Sequence, residues 1–150
     1  MELSGSYTFD APADRVWNLL MDAAVIGSCV PGCERFEADG PDRYRVTLTV
    51  ALAAITGTYS GVVAIADKVP PLSYRLDMEG QGRPGFVRGR STVVLRADGP
   101  RTIVDVAGTL EAGGAIARVG QRLIGSASKM MLDRFFACLR SRLPAAEAGS

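Results

Sequence analysis

The residues best suited to chemistry are three cysteines. Cys29 and Cys33 enclose Pro31-Gly32, and Cys138 lies far along the chain. A zinc site needs four good ligands, and the sequence has no histidine to complete the set or to activate a cysteine nucleophile. The number of cysteines is odd, and the N-terminus does not resemble a signal peptide. A disulfide framework is therefore not expected. We therefore expect no catalytic residue, no metal, and buried or half-buried structural thiols.

A glycine-rich string, Gly80-Gln-Gly-Arg-Pro-Gly85, matches the GxGxxG pattern of dinucleotide-binding loops. That loop needs a helix directly after it, because the pyrophosphate binds at the helix N-terminus. Residues 86–95 instead have the pattern of a strand, and Asp98-Gly99-Pro100 then predicts a turn. We interpret the string as a turn.

The charge is nearly balanced, with 17 Lys+Arg against 16 Asp+Glu, so no nucleic-acid partner is expected. Apolar runs are shorter than the roughly 20 residues of a membrane span. We expect a cytoplasmic protein, with any membrane contact peripheral and at the inner face. Six basic residues form either a patch for anionic lipid or an acidic protein, or an ordinary solvated surface. They are Arg88, Arg90, Arg118, Arg122, Lys129 and Arg140.

The periodicity of apolar residues predicts the secondary structure of the chain. Residues 2–10 alternate as a strand, and two short helices are predicted after Pro12, the second through about Asp22 to Cys29. Turn signals then recur about every 14 residues and delimit six strands, one of which alternates from Tyr44 to Leu52. An apolar arc predicts one long helix from about Arg118 to Leu143. Residues 1–143 are predicted to form one domain, and residues 144–150 a disordered tail.

Glycines share the apolar face of the predicted sheet, among them Gly61, Gly80 and Gly108. Glycine inside a strand marks a bend or leaves space for something close by. Either these positions let the sheet coil around the helix, or they leave a ligand cavity. The predicted cavity wall is Trp17, Tyr59, Met78, Phe86, Gly108, Leu123, Ala127, Met130, Met131 and Phe135.

Four short runs carry a family resemblance: residues 11–17 (APADRVW), 29–34 (CVPGCE), 85–89 (GFVRG) and 119–123 (VGQRL). Together they resemble the CoxG family of carbon monoxide dehydrogenase subunits, which belongs to the START and Bet v 1-like (SRPBCC) superfamily. The resemblance implies an α+β helix-grip fold. In that fold a seven-stranded antiparallel sheet wraps around a long C-terminal helix, and two short helices follow strand 1.

The resemblance also implies a function. It suggests a non-enzymatic protein that binds an apolar ligand, a quinone or other lipid, and carries no further cofactor. Its partner would be a molybdenum hydroxylase such as aerobic CO dehydrogenase, which it would serve in membrane association or electron delivery. One alternative is a pure assembly or docking factor for such enzymes. Another is an enzyme like polyketide cyclases or aromatases, which needs polar groups in the cavity; the candidates are Tyr7, Tyr59, Tyr74 and Glu34.

Overall fold

A computed structural model describes residues 1–51 and 55–143. Leu52 of the predicted third strand and the predicted tail, residues 144–150, lie outside the described residues. The elements in chain order are β1 (Glu2–Phe9), α1 (Ala13–Met21), α2 (Ala23–Cys29), β2 (Cys33–Ala38), β3 (Arg43–Val50), β4 (Gly57–Val69), β5 (Ser73–Gly82), β6 (Gly85–Asp98), β7 (Arg101–Gly113), a 3-10 helix (Gly114–Val119) and α3 (Gln121–Ser141).

The seven strands form one antiparallel sheet in the order β1-β7-β6-β5-β4-β3-β2. β1 and β2 lie at opposite edges, so α1 and α2 carry the chain from one edge to the other. The glycine-rich string forms the turn of the β5–β6 hairpin, in which Gly82 pairs with Gly85. The predicted helix-grip fold is confirmed, and the string is a turn as interpreted.

The closing helix begins later than predicted. α3 starts at Gln121 rather than near Arg118, because Gly120 has a φ of +92°, a backbone conformation that an α-helix does not contain. Val119, predicted on the apolar arc of the long helix, belongs instead to the 3-10 helix. The 21 residues of α3 span about 31 Å, which is long enough to cross the sheet.

Buried side chains between the sheet and the helices form two clusters. The larger cluster, here called the packed end, includes the stacked rings of Tyr7 and Phe136, with centroids 4.1 Å apart. The smaller one, the loose end, consists of Tyr59, Ile116 and Ile124. The packed end consists of Tyr7, Phe9, Ala11, Val16, Trp17, Leu20, Cys29, Ile65, Tyr74, Val93, Leu95, Val104, Val106, Phe136 and Leu139.

The expectation of three structural thiols is wrong for two of them. Cys29 at the end of α2 and Cys138 in α3 form a disulfide. Packing of α2 against α3 brings their Cα atoms to 5.4 Å, within the range that a disulfide can bridge. Cys33 stays a free, half-buried thiol at the start of β2. The bridge joins residues 109 positions apart, a proximity that chain spacing does not reveal.

Candidate functional site

A cavity of about 410 Å³ lies between the sheet and α3. Its wall is formed by residues of all seven strands, the 3-10 helix and α1 to α3, and most of their side chains are aliphatic or aromatic. The volume falls within the range of small-molecule sites, about 300–1,000 Å³. The space is therefore a candidate binding site for an apolar molecule.

The cavity runs between the packed end and the loose end. Along β4 the lining extends from Tyr59 to Ile65, which at the rise of a strand is about 20 Å. Along α3 it extends from Ile124 to Phe136, which at the rise of a helix is about 18 Å. Both walls are therefore long enough to accompany an extended ligand.

Six of the ten residues predicted for the wall line the cavity. Met78 lies on the inner face of the sheet, where it pairs with Val63 and Gly89. It is nevertheless 37% exposed, and it lines the cavity. Ligand binding by these residues stays a prediction. The six are Tyr59, Met78, Gly108, Ala127, Met131 and Phe135.

The other four residues of the predicted wall lie elsewhere. Trp17 packs edge-on against Tyr74 within the packed end, with ring centroids 5.5 Å apart. Phe86 is 42% exposed and lies beside Arg88. The two residues are two positions apart in β6, so their side chains point to the same face of the sheet. Leu123 is 37% exposed on α3. Met130 is half-buried outside the lining, because neighbouring helix positions are about 100° apart and Met131 takes the inward one.

The glycines of the wall do two different things. A Cβ at Gly61 would collide with the backbone of Glu79, and one at Gly108 with the backbone and side chain of β6, so both allow neighbouring strands to approach closely. A Cβ at Gly80 would meet nothing nearer than Val87 Cγ2 at 3.7 Å. Gly80 therefore leaves space, whereas Gly61 and Gly108 serve the geometry of the sheet.

The predicted wall missed residues from two sources. Tyr74 and Leu76 line the cavity and alternate with Arg75 and Asp77, so the period-two pattern that identified Met78 could have found them. Ile26 and Val30, around the end of α2, also line it. Their position depends on how α2 packs against the sheet edge, and the local pattern carries no signal for that.

Three of the four polar candidates for an enzymatic role have other partners. The Tyr7 hydroxyl donates to Asp133 Oδ1 at 2.6 Å, and the Tyr59 hydroxyl to the Ile55 carbonyl at 2.6 Å. Glu34 is exposed and accepts from the Thr49 hydroxyl. Tyr74 is buried and lines the cavity, and burial raises the pKa of its hydroxyl, which therefore stays protonated.

The other reactive groups give little basis for catalysis. Burial raises the pKa of the Cys33 thiol, against the opposing effect of a backbone hydrogen bond with Arg35, so the reactive thiolate is disfavoured. Within residues 1–51 and 55–143, no group of three or more Cys, Asp or Glu side chains is arranged to hold a metal ion. The described residues thus surround a space that could hold an apolar molecule.

The predicted basic patch is partly neutralised. Arg90 Nε lies 2.8 Å from Asp77 Oδ1, and Lys129 Nζ lies 3.1 Å from Asp133 Oδ1. Arg88 lies 3.5 Å from Glu79. These pairs favour an ordinary solvated surface over an anion-binding patch. Among the described residues, no helix combines the length and apolar character that a membrane crossing requires.

Comparisons with known proteins agree with this architecture. The CoxG family, described as a subunit of carbon monoxide dehydrogenase, matches residues 5–144. The crystal structure of a conserved protein from Geobacillus kaustophilus is similar at 30% identity with a TM-score of 0.90, covering 94% of this chain and 93% of that one. A START superfamily protein from Mycobacterium smegmatis shares the fold at 12% identity with a TM-score of 0.70, covering 94% and 95%. Curated proteins give no match.

Proposed function

The chain belongs to the CoxG family of carbon monoxide dehydrogenase subunits, and from this membership and its cavity we propose that it is a non-enzymatic carrier of an apolar, elongated ligand. The ligand is a quinone or another lipid. The carrier serves a molybdenum hydroxylase such as aerobic CO dehydrogenase, in membrane association or in electron delivery. It works in the cytoplasm, with peripheral contact at the inner face of the membrane.

The observation that carries this proposal is the unfilled apolar cavity. Burying about 300 Å² of apolar ligand surface would contribute on the order of 7 kcal/mol at 25 cal/mol per Å². Part of this gain is offset by the loss of ligand freedom on binding. A ligand can therefore be held without a charged contact.

The two alternatives fit the cavity less well. A pure assembly or docking factor needs no hollow, and a cavity filled by the protein's own side chains would have favoured it; here the space is open. A cyclase or aromatase needs polar groups inside the cavity. Tyr7, Tyr59 and Glu34 have other hydrogen-bond partners, which leaves Tyr74.

The first test is mass spectrometry of solvent extracts from freshly purified protein, beside two variants. Gly80→Leu places a large side chain in open space of the cavity, whereas Gln81→Leu places the same side chain one residue along, on the opposite face. Gly108 is unsuited to this purpose, because a side chain there would disturb β6. We expect a quinone or neutral lipid near one per chain in the wild type and Gln81→Leu, and several-fold less in Gly80→Leu.

The second test addresses the partner. Purified protein, with and without bound lipid, is mixed with purified aerobic CO dehydrogenase and followed by size-exclusion chromatography. Co-elution of the lipid-loaded protein would support the carrier role. Extracts could instead contain no lipid after incubation with membranes while the lipid-free protein still co-elutes. That result would contradict the carrier role and support the role of an assembly factor.

A further inference from the structure

Tyr74 combines deep burial with an unused hydrogen-bonding group. Its side chain is 5% exposed, and its hydroxyl has no hydrogen-bond partner among residues 1–51 and 55–143. The hydroxyl of Tyr59, at the other end of the cavity, is already bonded to the Ile55 carbonyl. The remaining hydroxyl groups of the wall belong to residues that are exposed or half-buried, within reach of water; these are Tyr44, Ser60, Ser91, Thr109 and Ser128.

The Tyr74 oxygen borders open space. In the described ranges, every side-chain oxygen or nitrogen fully enclosed by protein has a hydrogen-bond partner. The Tyr74 oxygen, which has no such partner, therefore keeps some accessible surface, and the residue lines the cavity. Buried phenol groups normally find an acceptor, so this donor is available to whatever occupies the cavity.

We propose that Tyr74 donates a hydrogen bond to an uncharged acceptor oxygen, such as a ketone, quinone or ester carbonyl, at one end of the bound ligand. This inference rests on the proposed carrier function and adds ligand chemistry and orientation to it. Because Tyr74 belongs to the packed end, the polar end of the ligand lies there and its apolar chain extends toward Tyr59.

An anionic ligand fits this site less well than a neutral one. The charged residues of the wall direct their side chains outward, since Arg90 pairs with Asp77 and Glu79 pairs with Arg88 at the exposed face. A fatty-acid carboxylate would therefore be buried without a cation, which is costly. Burial raises the pKa of the Tyr74 hydroxyl and keeps it a donor throughout the physiological pH range.

The test compares two probes that differ only by a carbonyl group in place of a methylene group, 2-tridecanone and n-tridecane, by displacement of the neutral dye Nile red. Binding costs the ketone its hydrogen bonds to water, so the ketone-to-alkane affinity ratio of each variant is compared with that of the wild type. Tyr74→Phe should weaken ketone binding about 3- to 10-fold and leave alkane binding unchanged, as expected for one hydrogen bond. Tyr7→Phe is the matched control, because Tyr7 lies outside the cavity lining and its hydroxyl donates to Asp133, and it should leave this ratio unchanged.

Infrared spectroscopy gives a readout that altered packing alone would not produce. The carbonyl band of ¹³C-labelled 2-tridecanone should lie at lower frequency in the wild type and in Tyr7→Phe than in Tyr74→Phe. The same ketone-to-alkane affinity ratio in Tyr74→Phe as in the wild type would overturn the role of Tyr74 while leaving the carrier function intact. Failure of both probes to bind wild-type protein would overturn the carrier function together with this inference.

Discussion

The packed end and the loose end are built from the same sheet and lie at opposite ends of one cavity, yet they are consolidated very differently. Among the described residues the packed end has fifteen buried side chains and the disulfide, whereas the loose end has three. Buried apolar area is the main source of folding stability. The difference indicates that one end holds the fold together, whereas the other can open at lower cost in free energy.

The largest effect should come from the disulfide, at the packed end. Replacing Cys29 and Cys138 by serine should lower the free energy of unfolding by about 2–5 kcal/mol, because the bridge closes a long loop in the unfolded chain. Urea denaturation measures the loss. Cys33→Ser is the control, since its thiol is free, and should change stability by less than about 0.5 kcal/mol. Equal stabilities of the double variant and this control would contradict the prediction.

Two leucines of α3 test the comparison directly. Leu139 is 0% exposed at the packed end, and Leu139→Ala should cost about 3 kcal/mol through lost burial and the cavity it leaves. Leu123→Ala, at the other end of the helix and partly exposed, should cost less than about 1 kcal/mol. Thermal and urea unfolding of both variants measure the difference. Similar losses at the two positions would show that the ends are equally consolidated.

Gly61 and Gly80 pair across β4 and β5 and test the two roles of glycine in the cavity wall. Gly61→Ala should cost about 1–3 kcal/mol, because the added methyl group would overlap the Glu79 backbone. Gly80→Ala meets only ordinary contacts and should be close to neutral. Unfolding measurements distinguish these outcomes. A neutral Gly61→Ala would mean that β4 and β5 can separate there.

The smallest effect concerns the contact that links β1 to α3 at the edge of the packed end. Hydrogen bonds from Tyr7 and Lys129 lower the pKa of Asp133. The contribution of Asp133 to stability is therefore present above its unfolded pKa, about 3.9, and is lost as the pH falls through the lower folded value.

The measurement is the stability difference between the wild type and Asp133→Asn as a function of pH. A small wild-type advantage at pH 7 should shrink below about pH 4. Tyr7→Phe removes one of the two donors and should reduce the advantage in the same direction. A difference that does not change with pH would show that the ion pair and hydrogen bonds contribute nothing to folding.

Much of the fold was predictable from the sequence, because local patterns specify it. Alternation in the strands and the glycine and proline turns predicted the strands that follow α2, and the N-cap Asp22 lies where the second short helix was predicted to begin. The start of α3 was missed because a 3-10 helix and Gly120 interrupt an apolar arc that continues across them.

The candidate site was harder to predict, because its wall depends on tertiary packing. The alternation of strand positions placed Met78 and Tyr59 at the cavity, where both lie. The same alternation would have placed Phe86 on the outer face, beside Arg88. The disulfide and the α2 part of the wall depend on α2 packing against α3 and the sheet, which no local spacing reports. The unused Tyr74 hydroxyl is recognised only once its burial and the partners of the Tyr7 and Tyr59 hydroxyls are known.

The length of the cavity determines which parts of the protein a bound molecule could contact. The lining extends for about 20 Å along β4, about twice the roughly 10 Å that separates packed layers. A molecule of that length would therefore contact the packed end and the loose end at once. A shorter molecule would reach only one of them.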